Sequence, residues 1–200
     1  MHLLLASSSP RRAALLQQIG VPHQRLAPPD IDERPASGEA PEDYVRRMAE
    51  EKARAGATAL KDARHGPILG ADTAVVWQGR ILGKPRDPAD ARRMLAGLSG
   101  DEHQVLSAVS LLLPDWQRTL LSATRVRFRP LTEQEIDRYV ETGEPMDKAG
   151  GYGIQGFGGL LVEHLSGSYS GVVGLPLNEL HQLLAAAGVS YWQTIGTGSD

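Results

Sequence analysis

The chain has 200 residues, of which 41 % are hydrophobic, 5 % aromatic and 22 % charged, so it is about the size of one domain, with a core built mostly from Leu, Val, Ile and Ala. No apolar run approaches the roughly 18 residues of a membrane span and no heptad or Gly-X-Y period runs through the chain, which excludes a membrane-spanning protein, a coiled coil and a collagen-like rod. The absence of cysteine excludes a disulfide framework, a thiolate zinc site, an iron–sulfur cluster and a catalytic thiol. The formal charge of −3 divides into +3 for residues 1–100 (15 Lys and Arg, 12 Asp and Glu) and −6 for residues 101–200 (6 and 12). That balance is too weak for a protein that coats a nucleic-acid polymer, but it suits a small polyanion held mainly by the first half.

Met1-His2-Leu3 enters a strand-like segment with no basic or long apolar stretch ahead of it, so nothing marks export and a cytoplasmic protein is expected. His2 to Ala6 reads as a short buried strand. Ser7-Ser8-Ser9-Pro10 breaks it, and a helix follows with Ser9 as N-cap, Pro10 at its first position, Leu15, Leu16 and Ile19 as its apolar stripe and Gly20 as its stop. Val21 to Ala27 is a candidate second strand, and Pro28 to Ala40 a polar loop. Pro41 to Leu60 reads as a long helix with Tyr44, Val45, Met48 and Ala49 inward and the basic and acidic residues that follow turned outward.

Ile68 to Trp77 is an apolar run interrupted by Asp72, and Gln78-Gly79 turns it into Arg80-Ile81-Leu82. Asp87-Pro88 opens a helix to Leu98. His103 to Leu113 and Leu120 to Phe128 form a hairpin around Pro114-Asp115, and Thr132 with Glu135 is a capping box for a helix to Glu141. Gly143 to Gly159 is a glycine-rich loop, Leu160 to Leu165 a strand, Leu175 to Ala187 the last helix and Tyr191 to Asp200 a frayed tail. Helices alternate with strands but hairpins also occur, which predicts an α/β (mixed α+β) protein with a mixed sheet.

Several segments carry chemistry. Ser7-Ser8-Ser9-Pro10-Arg11-Arg12 is either a capped helix with two exposed arginines or a phosphate site at a helix N-terminus. Lys52, beside Glu50 and Glu51, reads as part of a solvated helix face. Asp72 stands inside an apolar strand, where an uncompensated buried carboxylate costs roughly several kcal/mol. It is a proton acceptor for water, a metal ligand, or a strand-end Asp bonded to loop amides. Gly83-Lys84-Pro85-Arg86 is a basic turn after the hairpin, and Glu33 a loop acid. Gly151-Tyr152-Gly153-Ile154-Gln155-Gly156 has the G-x-G-x-x-G spacing, but it neither follows a strand nor opens a helix, which argues against a dinucleotide fingerprint. Its glycines allow close backbone approach to a ligand, and the Gln155 amide can both donate and accept. The histidines show no ligand spacing, and no P-loop is present.

Taken together, Leu5-Ala6-Ser7-Ser8-Ser9-Pro10-Arg11-Arg12, Glu51-Lys52-Ala53, Gly70-Ala71-Asp72-Thr73, Gly83-Lys84-Pro85-Arg86-Asp87, Leu98-Ser99-Gly100, the run from Asp147 to Gly156 and Val173-Gly174-Leu175-Pro176 resemble the Maf family of nucleoside triphosphate pyrophosphatases. The resemblance covers residues 2 to about 188, with residues 189–200 as a flexible tail beyond it. Asp72-Thr73 and Gln155 resemble the branch acting on dTTP and UTP, whereas the 7-methyl-GTP branch has Asp-Gln and Glu at these places. Ser8 departs from the family, which often has Gly there.

The resemblance implies a twisted mixed sheet dividing two lobes of a single catalytic domain, with a central cleft like that of inosine triphosphatases, and often a homodimer. It implies a divalent metal, Mg²⁺ or Mn²⁺, bridging phosphate oxygens and Glu33 or Asp72. The implied reaction is hydrolysis of dTTP, UTP or modified pyrimidine nucleotides to the monophosphate and pyrophosphate. In it Asp72 accepts the proton, and Arg11, Arg12, Lys52 and Lys84 neutralise the triphosphate. Ser7 and Ser9 join the phosphate site, while Thr73, Gln155 and Arg11 read or position the nucleotide. The other readings are a nucleotide-binding regulator of cell division with little turnover and a 7-methyl-GTP pyrophosphatase. Neither a nucleic-acid polymer nor a membrane is an expected partner.

Overall fold

Three leucines at Leu3–Leu5 form strand β1, and the chain then turns into helix α1 (Pro10–Gln18), whose Leu15 and Leu16 are buried. In the computed structural model, which describes residues 2–27, 31–60 and 66–192, the remaining strands are β2 (His23–Arg25), β3 (Ile68–Trp77), β4 (Arg80–Leu82), β5 (Glu102–Leu113), β6 (Trp116–Phe128) and β7 (Val162–Ser166). The remaining helices are α2 (Pro41–Thr58), α3 (Pro88–Leu98), α4 (Glu133–Glu141), α5 (Tyr169–Val173) and α6 (Leu177–Ala186). Together the strands build a seven-stranded mixed sheet in the order β2-β1-β3-β5-β6-β7, with β4 also paired to β3. β2, β1 and β3 run parallel, joined through α1 and α2, while β5, β6 and β7 add as antiparallel neighbours.

The sheet splits at β3. One edge of this strand pairs with β1 only at Ile68 and Leu69 and with β4 only from Val75 to Trp77. Its other edge pairs with β5 continuously from Ile68 to Val76. The backbone around Asp72 and Thr73 is therefore secured on one side and open on the other, between two diverging partners. One hydrophobic cluster joins α1, α6, β1 and the near ends of β3 and β5 around Leu3, Leu5, Leu16, Leu111, Leu175 and Leu183. A second packs α3 and α4 against Val75, Val105, Val126 and Phe128.

The expected alternation of elements is found, and the differences have local causes. Ser9 occupies the N-cap of α1, but its side chain does not cap; the Ser7 hydroxyl accepts the Ser9 N–H instead at 3.2 Å. The glycine-rich stretch contains three short 3-10 turns, at Glu144–Asp147, Ala149–Gly151 and Phe157–Leu161. The last of these delays β7 to Val162. The expected final helix begins at Leu177 and is preceded by α5, a five-residue turn too short to show periodicity, whose N-cap Ser168 accepts the Gly171 N–H at 3.0 Å. At the chain's end Val189 is buried, and the Trp192 N–H donates to Ile19 O at 3.1 Å. Residues 28–30 of the polar loop and 193–200 of the expected tail lie outside the described residues. No helix among the described residues is long and apolar enough to cross a membrane.

His103 is buried beside the second cluster, edge-on to Phe128 and Tyr152, with Nε2 2.7 Å from the Tyr152 hydroxyl. Its Nδ1 is buried with no hydrogen-bond partner among the described residues. Burial pushes the imidazole down to about 4, against the smaller opposing effect of Asp101. An unfolded histidine titrates near 6.5, so below that pH the unfolded chain takes up a proton that the folded one refuses. Stability is then present above that value and lost as the pH falls through the window toward 4. Replacing His103 by Gln is expected to reduce the loss of unfolding free energy between pH 7 and 5, measured in urea, by about 2 kcal/mol. An unchanged pH slope would show that His103 is not buried neutral.

Candidate active site

The open edge of β3 forms the floor of a cleft of about 620 Å³, lined by α1, α2, the turn after β4 and the glycine-rich loop. Helix α2 brings Lys52 to it. Its buried residues Val45, Met48, Ala49, Lys52, Ala53 and Gly56 follow the spacing of one helical face, so Lys52 lies within the buried stripe and not on a solvated face. This corrects the outward reading of the residues after Ala49.

Gly70 seats that helix. A Cβ there would collide with the Ala49 carbonyl oxygen and lie 2.7 Å from the Ala53 nitrogen, so only glycine lets α2 lie so close to β3. Two residues on, Asp72 points to the same side. Lys52 Nζ donates to Asp72 Oδ1 at 2.6 Å and forms an ion pair with Glu33 Oε1 at 2.8 Å. Glu33 is carried over α2 by its loop, which is tied down by Tyr44 donating to Glu33 O at 2.9 Å and Arg47 donating to Arg34 O at 3.2 Å. Burial raises the Glu33 pKa, but the hydrogen bond and charge of Lys52, with Lys84 and Arg12, hold it below the usual value.

Arg12 enters from α1. Its guanidinium donates to Gly174 O at 2.8 Å, to Ser7 Oγ at 3.0 Å and to Thr73 Oγ1 at 3.5 Å, all neutral oxygens. Burial pushes its pKa down, and the charge of Asp72 offsets this only in part. It is a half-buried cation directed by neutral partners, able to receive an anion. Lys84 is exposed at the cleft and forms no ion pair among the described residues. Arg11 pairs with Asp147 at 3.4 Å, and Gln155 is exposed at the cleft wall. Ser9 lines the cleft, while Ser7 is buried behind Arg12, which it orients.

The structure thus brings Arg11, Arg12, Glu33, Lys52, Asp72, Thr73, Lys84, Gln155 and Ser9 to one cleft. Sequence reasoning did not single out Tyr44, Lys148 or Glu144 as contributors. Lys148 lines the cleft with Nζ 2.6 Å from Asp147 and 2.7 Å from Glu144 O. The Glu144 carboxylate organises the glycine-rich loop by accepting from Phe157 N at 2.9 Å, Gly158 N at 3.0 Å and the Tyr139 hydroxyl at 2.9 Å. A glycine run with an acid at its head was the only available signal.

No cluster of three or more His, Cys, Asp or Glu that could hold a metal occurs among the described residues. Glu33 and Asp72, converging on one ammonium, still fit a hard divalent cation, because Mg²⁺ takes one or two carboxylates and completes its shell with water and phosphate oxygens. Chemically, the cleft can hold a phosphate chain among several cations and present a carboxylate to a water molecule.

The cleft lies at the split of the mixed sheet of an α/β protein, and the chain belongs to the Maf family, whose profile, described as Maf-like protein, matches residues 2–187. A protein of Alcanivorax borkumensis named dTTP/UTP pyrophosphatase is 56 % identical over 193 residues, covering 96 % of this chain and 99 % of that relative. A Shewanella oneidensis protein of the same name is 52 % identical over 193 residues, covering 94 % and 100 %. Among solved structures, the Staphylococcus aureus Ham1 protein matches with a TM-score of 0.42 and 14 % identity, over 64 % of this chain and 72 % of that one.

The close seating of α2 is testable. Gly70→Ala forces a backbone contact apart and is expected to cost about 1–3 kcal/mol of stability and to lower any activity that uses Lys52. Gly83→Ala, whose Cβ would meet nothing within 4 Å, should leave the urea midpoint in place. Equal midpoints for the two variants would show that α2 is not held against β3 at Gly70.

Proposed function

We propose that the protein is a nucleoside triphosphate pyrophosphatase that hydrolyses dTTP and UTP to the monophosphate and pyrophosphate. The observation that carries this reading is the convergence of Lys52, Glu33 and Asp72 at the open edge of β3, beside an arginine left with neutral partners. The names of the relatives from Alcanivorax borkumensis and Shewanella oneidensis support the substrate class. Binding alone requires the cations but not a carboxylate pair among them, which favours turnover over a purely regulatory role.

In this reading the triphosphate lies across Arg12, Arg11, Lys84 and Lys52. Glu33, or Asp72 in place of its role as proton acceptor, would hold Mg²⁺ or Mn²⁺, which when bound supplies positive charge to phosphate oxygens and makes a water more acidic. Lys52 fixes Asp72 Oδ1, leaving the other carboxylate oxygen to accept the proton of the attacking water. The water oxygen bonds to the α-phosphorus as the bond to the bridging oxygen breaks. The charge that moves onto pyrophosphate is met by Arg12 and Lys84. Gln155 donates to a pyrimidine carbonyl and accepts from N3–H.

Pyrophosphate release from a panel of nucleotides with Mg²⁺ or Mn²⁺ tests the assignment. Asp72→Asn is expected to fold normally and to lose a factor of about 10²–10⁴ in kcat. A variant retaining more than about a tenth of kcat would remove Asp72 as proton acceptor.

Gln155→Glu replaces a group that donates and accepts by one that only accepts and that repels the pyrimidine carbonyl oxygens. The change should cost about 2–4 kcal/mol of transition-state binding, so kcat/KM for dTTP and UTP falls roughly 30- to 1000-fold while guanine nucleotides lose less or gain. A dTTP:GTP preference equal to the parent's would mean that Gln155 does not read the base.

A further inference from the structure

Thr73 faces the cleft, and directly across the β3–β5 ladder from it stands Ser107, 1 % exposed. The two hydroxyl oxygens are 2.9 Å apart, a distance at which either could donate. A second contact decides which one does. Ser107 Oγ lies 2.6 Å from Gly171 O in the middle of α5. A carbonyl oxygen only accepts, and a serine hydroxyl has a single proton. That proton is committed to Gly171, so Ser107 can only accept from Thr73. The Thr73 proton therefore points inward, along a chain that runs from Thr73 through Ser107 to Gly171 O. On its cleft side Thr73 Oγ1 is left with lone pairs alone, one of them facing Arg12 Nη2 at 3.5 Å.

We propose that Ser107 is a specificity-determining positioning residue: by fixing the polarity of the Thr73 hydroxyl, it makes this point of the cleft demand a neutral hydrogen-bond donor from the nucleotide. The proposal rests on the nucleoside triphosphate reading above. Two groups of a pyrimidine nucleotide supply such a donor: the sugar 3′-hydroxyl, which Gln155 does not use, and the imide N3–H of uracil or thymine in a pose where Gln155 meets only a carbonyl. An ionised phosphate oxygen, which only accepts, is turned away from Thr73 and toward the cations. Without Ser107 the threonine hydroxyl is free to turn and donate outward, and the demand disappears.

The test compares binding of α,β-imido analogues of UTP, CTP and 3′-deoxy-UTP by titration calorimetry, together with kcat and KM for the hydrolysable nucleotides. CTP converts N3 from donor to acceptor without changing ring size; 3′-deoxy-UTP deletes the sugar donor. The parent protein is expected to bind one of the two about 10- to 100-fold more weakly than UTP, as follows from leaving a partly buried acceptor unpaired, and the one whose penalty depends on Ser107 identifies the group that Thr73 meets. In Ser107→Ala that penalty should shrink at least about fivefold, and Ser107→Thr, which keeps the hydroxyl, should restore it.

A purely structural role for Ser107 would weaken all three nucleotides alike and leave their ratios unchanged, which would overturn the proposal. Should Ser107→Ala fold poorly, Thr73→Val decides, since it removes the same hydroxyl from a partly exposed position; a preserved penalty there overturns the proposal equally. If neither CTP nor 3′-deoxy-UTP is penalised by the parent, the polarity argument fails while the pyrophosphatase reading stands. If the parent binds no nucleoside triphosphate, that reading falls and takes this inference with it.

Discussion

A lysine ammonium 2.6 Å from an aspartate, with both side chains almost wholly removed from water, is an expensive arrangement for a small protein. Hydrophobic residues of the same volume would stabilise the fold at least as well, so the bridge between Lys52 and Asp72 is poor evidence for stability and good evidence for a task. Much of the surrounding structure makes sense as support for it. Gly70 lets α2 lie on the strand, the buried stripe of α2 points Lys52 inward, and the divergence of β1 and β4 leaves Asp72 accessible. Glu33 completes the set from a loop clamped onto the same helix.

The other cations of the cleft differ in how their charge is balanced, and this sets how each can respond to a polyanion. Lys148 is matched by Asp147, which also faces Arg11, so these charges are already partly compensated. Arg12 is half-buried and held by neutral oxygens with no carboxylate paired to it, and it therefore has much to gain from an arriving phosphate. Its orientation does not depend on that phosphate. Ser7 from the first loop and Gly174 from the segment after α5 fix it beforehand, the kind of preorganisation that avoids reordering a long side chain when ligand binds. The ion pairs on the outer surface, such as Arg127 with Glu163 at 3.1 Å, sit in water and contribute little by comparison.

Elements whose signal is local were legible in the sequence: the Thr132–Glu135 capping box, the Gln78-Gly79 turn and the Asp87 cap all stand where their residues predict. Lys52 was misplaced because its neighbours Glu50 and Glu51 suggested an exposed face, although its spacing from Val45, Met48 and Ala49 already put it on the buried one. Helix α5 escaped because five residues hold barely more than one turn, and its cap, Ser168, lies in a segment with no apolar period. The role of Glu144 depends on amides 13 and 14 residues away, a contact that no local pattern encodes. The candidate site residues were named largely through family resemblance; their shared location comes from long-range pairing of β1, β3 and β4, which spacing along the chain does not reveal.

Asp72 and Thr73 are neighbours in sequence but belong to opposite faces of the sheet, because side chains alternate along a strand. Asp72 is supported by Lys52 from α2, whereas Thr73 is supported by Ser107 and, through it, by the Gly171 carbonyl of α5. Only at an unpaired strand edge can both side chains serve the same cleft. The consequence is a division of labour built into the pleat: groups suited to moving a proton are fixed from one side of the sheet, and a group suited to choosing the ligand is fixed from the other. In the proposed reading a change behind Thr73 alters what the cleft accepts without disturbing the bridge that holds Asp72, and such a separation would let one scaffold keep its chemistry while its choice of nucleotide shifts.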